Sequence, residues 1–252
     1  MTSSAVKLIP LKNLSLKPAK LLSRDSNTKL IKTAKNKPIV LAGLSLMPTP
    51  VLCPSSKNAE CFEPCLKNSG LAAVYKSVNE SRQRKSDYYL QDQEAFLTQL
   101  RRELFNLEKY ARKHDKKAVV RLNVLSDVAW ETHNIPQEFP NIFMYDYTKR
   151  ADRLGKTPAN YKLMFSYSAA PKYKTQVDIA LKTNTPITVV FKNGLPSAFL
   201  GREVIDGDKS DLDNLKALGK IVGLRAKGNL AKQSLSPFII DSLEANSISI
   251  AA

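Results

Sequence analysis

The chain has 252 residues, 43% of them hydrophobic and 25% charged, which suits a folded globular protein with a substantial core. No apolar run approaches the roughly 18 residues of a membrane-spanning helix, so no transmembrane segment and no membrane partner are expected. A formal net charge of +16 predicts attraction to polyanions, nucleic acid first, with strong salt dependence.

About half of that excess sits at the N-terminus, where residues 1–37 hold Lys7, Lys12, Lys17, Lys20, Arg24, Lys29, Lys32, Lys35 and Lys37 against Asp25 alone. This reads as a flexible basic arm, with a single domain over 38–228 and a weakly patterned tail over 229–252. The arm suits a nucleic-acid tether, a solvated tail or an organellar transit peptide, and it lacks the apolar centre of a secretory signal. Reduced thiols without such a signal point to the cytoplasm, that of the host if the chain is viral.

Pro38 to Leu46 is a short apolar run bounded by Pro38 and the Met47-Pro48-Thr49-Pro50 turn, and it predicts a buried strand. The loop after it contains every cysteine in the chain: Cys53, Cys61 and Cys65, in the pattern C-x7-C-x3-C. Three soft ligands from one loop suit an iron–sulfur cluster with one open iron, or a zinc ion completed from elsewhere; an odd number argues against a closed disulfide framework. The plainer alternative is one or two buried thiols with a fortuitous neighbour.

Leu71 to Val78 can form a short helix, with Asn79 to Ser86 either its extension or a basic loop. From Gln91 to His114 the positions Phe96, Leu97, Leu100, Leu104, Leu107 and Ala111 recur at helical spacing, and the helix they predict is the clearest in the sequence. Its stripe reads as packing surface and its basic side as solvated.

Strands are then expected at 118–125, 142–147, 161–167 and 186–192, with a helix at 172–182 and a last short strand at 220–224. Long connections between them indicate βα units and a mainly parallel α/β sheet, forming an incomplete (β/α) barrel. Polar residues gather where the strands stop: Ser126 and Asp127, Thr148 and Lys149, Ser166 and Ser168. Loops at the carboxyl ends of parallel strands build sites, so these side chains are expected to converge with the cysteine loop. Taken singly, each is also an ordinary turn residue. The acids of Asp206 to Asp213 resemble a calcium loop but lack its twelfth-position acid, and a turn with an Asp helix cap is the simpler reading.

In their order, Cys53-Pro54 through Cys65, Arg121 to Asp127, Tyr145 to Lys149, Ser166 to Ser168, Ile205 to Asp211 and Ile221 to Gly228 resemble the phage "gene product 88" family. More distantly the layout is similar to three-cysteine phage proteins with a radical S-adenosylmethionine type of barrel, although the usual spacing there is C-x3-C-x2-C. That resemblance implies a [4Fe–4S] cluster on Cys53, Cys61 and Cys65. It implies an S-adenosylmethionine pocket lined by Ser126, Asp127, Thr148 and Lys149, with Ser166 and Ser168 beside it, while the positive charge makes a nucleic acid or nucleotide the first substrate to expect. Lys149 or Arg150 would pair with the cosubstrate carboxylate.

The rival is a nucleic-acid-binding, replication-linked protein whose cysteines hold structural zinc, with a fourth ligand from His114, His133, Glu60 or Glu63. A rolling-circle nuclease using Tyr145 and Tyr147 is disfavoured by the absence of paired histidines. No P-loop, dinucleotide fingerprint or nucleophile-elbow motif is present.

Overall fold

In the computed structural model, which describes residues 17–24, 28–65 and 70–244, two short N-terminal elements precede the first long strand. They are β1 (Leu22–Ser23) and α1 (Thr28–Ala34), followed by β2 (Ile39–Leu44). Beyond the cysteine loop come α2 (Leu71–Val74), α3 (Lys76–Gln91) and α4 (Gln93–Lys113). Asp92 separates the last two: it ends α3, and its carboxylate caps α4 by accepting from Ala95 N at 3.0 Å. Arg112 and Lys113 lie in the last turn of α4, where a cation complements the helix dipole.

Next are β3 (Lys117–Arg121), α5 (Ile135–Glu138), β4 (Phe143–Thr148), β5 (Tyr161–Ser166) and α6 (Lys174–Leu181). Then follow β6 (Ile187–Lys192), β7 (Ala198–Phe199), β8 (Arg202–Asp206), α7 (Asp211–Asn214), β9 (Ile221–Arg225), α8 (Asn229–Lys232) and β10 (Ile239–Asp241). The strand order is β1-β2-β3-β4-β5-β6-β9-β8-β7, with β10 also on β6. Every described pairing is parallel except β1 with β2 and β7 with β8, so the chain is an α/β protein with a large, mainly parallel sheet. The path is open: among the described residues no pairing joins its two edges.

The sheet is covered on both faces, which is why its strands read as continuous apolar runs rather than alternating ones. Val40, Ala42 and Leu44 of β2, with Val120, Met144, Phe165 and Val189, share one large core with Phe96, Leu100, Leu104 and Leu107 of α4. The opposite face carries Leu41, Val119, Tyr145 and Met164, packed with Leu30 of α1 and Leu212 and Leu215 in and beside α7. The register continues that second face as Arg121, Tyr147, Ser166, Thr188, Val190, Leu224 and Ile239, toward the carboxyl ends of the strands. There the cysteine loop, rather than a helix, lies over it.

Part of the segment expected as a basic arm belongs to this packing. Leu21 is fully buried, its N–H and that of Leu22 donate to the Glu103 carboxylate, and its carbonyl accepts from Lys85 Nζ at 2.8 Å. Residues 1–16 and 25–27 of that expected arm lie outside the described residues. At the other end, β10 lies in the stretch expected as a tail and pairs with Val190–Lys192 of β6. No helix among the described residues is long and apolar enough to cross a membrane.

Candidate functional site

The strand ends and the cysteine loop meet. A cavity of about 130 Å³ is lined by Cys53, Cys61, Ser126, Asp127, Thr148, Lys149 and Ser166, together with Arg121, Asn123 and Tyr147. A second cavity, of about 190 Å³, adjoins it and shares Cys61, Arg121, Tyr147 and Ser166; Cys65 lies on its wall. Of the sequence-predicted residues only Ser168 lines neither cavity. It is buried, and its hydroxyl donates to the Ala59 carbonyl at 2.8 Å, tying the cysteine loop to the end of β5.

The loop is compact because its backbone closes successive turns, Cys53 N to Thr49 O at 2.8 Å and Cys61 N to Ser56 O at 3.2 Å. Asp127 N donates to Leu52 O at 2.8 Å, which anchors the loop to the end of β3. All three cysteines are free thiols. Among the described residues no group of three His, Cys, Asp or Glu side chains is placed to hold a metal ion, so the thiols are not gathered as a cluster or zinc would need. Burial pushes Cys53 and Cys61 above the usual thiol range, against Lys149 in the case of Cys61, so both are neutral thiols here. The histidines do not join them: His133 Nε2 is hydrogen-bonded to Tyr89 Oη at 2.9 Å, and His114 packs against Tyr110.

Lys149 is the cation of the cavity. Its ammonium donates to Ser166 Oγ at 3.0 Å and Ser166 O at 3.2 Å, and lies 4.2 Å from the Phe238 ring centroid. Tyr173 fixes the same corner, donating its hydroxyl to Lys149 O at 2.7 Å. Burial lowers the Lys149 pKa, while the three thiols and Asp127 oppose that shift. Among the described ion pairs none includes Lys149, whereas Arg150 pairs with Asp152 at 3.0 Å.

Asp127 acts on Lys149 through the backbone. Its Oδ2 accepts from Lys149 N at 2.9 Å, and its Oδ1 accepts from Thr148 Oγ1 and Arg153 Nη1, both at 2.8 Å. Burial raises its pKa and the Arg153 cation opposes that rise. Arg153, placed by the 3-10 turn Ala151–Arg153, also grips Glu131 with Nε and Nη2 at 2.7 and 2.8 Å.

Three further residues were not among the expected site residues, although each lies in a stretch that carried the family resemblance. Asn123 is buried, and its Oδ1 accepts from Ser126 Oγ, Val128 N and Trp130 Nε1 while its Nδ2 donates to Asp146. Arg121 pairs across the second face with Asp211 at 3.2 Å, and its guanidinium lies 4.6 Å from the Tyr147 ring centroid. An Asp of this acidic turn was expected as a helix cap, but the cap of α7 is Ser210, which accepts from Asp213 N, while Asp211 is a fully buried acceptor for Tyr145 and Tyr147.

A family model, gene product 88, matches residues 20–241. The chain belongs to the gene product 88 family. That match takes in β1, the cysteine loop, both cavities and β10, so the features described are those of the family's own matched region. No curated protein and no solved structure matches the chain.

Proposed function

We propose that the two adjoining cavities at the carboxyl ends of the strands bind a small ligand bearing an anionic group, with Lys149 as its anchor and the cysteine loop as its cover. The observation that carries this reading is the Lys149 ammonium on the cavity wall, held by Ser166 and free of any described ion pair. Burial disfavours the charged form of a lysine, and a carboxylate or phosphate beside it favours that form. The Ser126 hydroxyl and the Asp127-fixed backbone of Lys149 give the polar surroundings such sites use for orientation. The net charge of +16 makes nucleotides, and nucleic acid as a larger partner, the first anions to examine.

The direct test is titration of the full chain with inorganic phosphate, a nucleoside monophosphate and S-adenosylmethionine, repeated with Lys149→Met. At least one of them should bind, and the substitution should weaken that binding at least tenfold. Equal affinity in the two proteins would remove the proposal.

A second reading is an iron–sulfur protein of radical S-adenosylmethionine type, favoured by one observation: all three thiols border the cavities that Lys149 serves. It requires the loop from Cys53 to Cys65 to rearrange before three ligands converge. Anaerobic reconstitution followed by metal analysis decides it. About four irons per chain, lost in Cys61→Ala, support the cluster; one zinc supports the structural-metal alternative, and no bound metal removes both.

A further inference from the structure

The second cavity differs in kind from the first. To Val124 and Leu125, which line both cavities, it adds Val190 of β6, Leu224 of β9 and Phe238 and Ile239 from the C-terminal segment. It exists because β6 has two neighbours on one edge: β5 pairs with Ile187 and Thr188, and β10 pairs only from Val190 onward. Beyond Tyr167, whose N–H still donates to Thr188 O at 2.9 Å, the chain leaves β6, and the gap is lined also by Pro64, Cys65 and Ala231.

The three cations on this wall, Arg121, Arg225 and Lys227, are already matched. Arg121 pairs with Asp211 at 3.2 Å, Arg225 with Asp206 and Asp208 at 3.0 and 3.3 Å, and Lys227 with Asp208 at 2.9 Å. Lys149 lines the first cavity and enters none of the described ion pairs; its ammonium is bonded to Ser166, which lines both cavities, and packs over the Phe238 ring of the second. A ligand with its body in the second cavity therefore meets apolar side chains there, and an end that passes the shared Ser166 wall meets the Lys149 ammonium of the first cavity.

We propose that the second cavity takes the body of an amphipathic organic acid, aromatic or aliphatic, whose single anionic group lies against Lys149. This rests on the anion-binding reading of Lys149 and narrows its ligand class from anions in general to acids with an apolar body. A phosphate or a free nucleotide sugar makes poor use of walls formed by Val190, Leu224 and Ile239, since its polar groups would lose water there without partners. An apolar body gains by leaving water over the same surface.

The experiment is calorimetric titration of the full chain with 2-naphthoate, decanoate, acetate, inorganic phosphate and the uncharged 2-naphthamide. Either 2-naphthoate or decanoate should bind at least tenfold tighter than acetate, and 2-naphthoate at least tenfold tighter than 2-naphthamide if the aromatic acid is the better ligand. Val190→Phe, which fills the second cavity, should remove that advantage while leaving acetate and phosphate binding within about twofold. Ala231→Phe fills the same cavity from a second lining position and serves if Val190→Phe does not fold. If phosphate or acetate binds through Lys149 while neither amphipathic acid binds tighter, this inference fails and the anion site stands. If no anion shows a Lys149-dependent affinity, both fail.

Discussion

Asp127 and Arg153 form an ion pair at the cavity wall, Oδ1 to Nη1 at 2.8 Å, with side chains only 9% and 3% exposed. Arg153 also holds Glu131 and touches Thr148 Oγ1 and Tyr161 Oη, so one guanidinium organises the ends of three segments. Replacing it with Met leaves two carboxylates without their cation, one of them buried. Removing one partner of a buried pair costs about 3–5 kcal/mol. Denaturant unfolding of Arg153→Met should show a loss in that range, and a loss below about 1 kcal/mol would mean that Asp127 is held adequately by Thr148 and the Lys149 N–H.

Much of this arrangement could be read before the fold was known, and the rest could not for identifiable reasons. The stripe Phe96, Leu100, Leu104, Leu107 and Ala111 is a local signal, and it became the buried side of α4. Ser126, Asp127, Thr148, Lys149 and Ser166 were legible because parallel strands all deliver their carboxyl ends to one side. Arg121 and Asp211 are 90 residues apart and join only through the pairing of β3, β4 and the segment before β9. The strand β8 was hidden because its residues are half-exposed and end in the acids of a turn, and β1 and β10 are two and three residues long. Ser168 shares the local pattern of Ser166 but faces the Ala59 carbonyl, a difference set by tertiary contact alone.

Asp146 supplies a pH-dependent prediction. It is fully buried, and burial pushes its pKa up to about 7, against donation from Tyr161 Oη at 2.7 Å and Asn123 N at 2.6 Å. A carboxyl whose folded pKa lies above its unfolded value near 3.9 binds more protons in the folded state, so its contribution to stability is full at low pH and falls as pH rises toward 7. Between about pH 4 and 7 the native protein should lose stability relative to Asp146→Asn by about 1 kcal/mol per pH unit. Parallel stability profiles for the two proteins would show that Asp146 keeps an ordinary pKa.

Tyr147 tests the cluster on the second face. Its hydroxyl donates to Asp211 Oδ1 at 2.6 Å, beside Tyr145 Oη and Arg121 Nη1 on the other oxygen. A hydrogen bond to a buried carboxylate contributes about 1.5–3 kcal/mol, so Tyr147→Phe should destabilise the fold by about that amount. The ring that stacks with Arg121 remains, so the cavity wall should keep its shape and Lys149-dependent anion binding should change less than about threefold. A tenfold loss of that binding with intact stability would instead place the hydroxyl in contact with ligand.

The last prediction concerns where the fold begins. Leu30 of α1 is 2% exposed, and its Cδ1 lies so close to Gly43 that a Cβ there would sit 2.6 Å from it. Leu21 is buried as well, and its backbone is held by Glu103 and Lys85. Residues 17–24 and 28–37 therefore pack with the core although their composition is that of a basic tail. Leu30→Ala should cost about 2–5 kcal/mol, the range for a buried leucine that leaves a cavity. Removing residues 1–37 should abolish a cooperative transition. Cooperative unfolding of the shorter chain at the native midpoint would show that α1 and β1 are dispensable and that the core starts at β2.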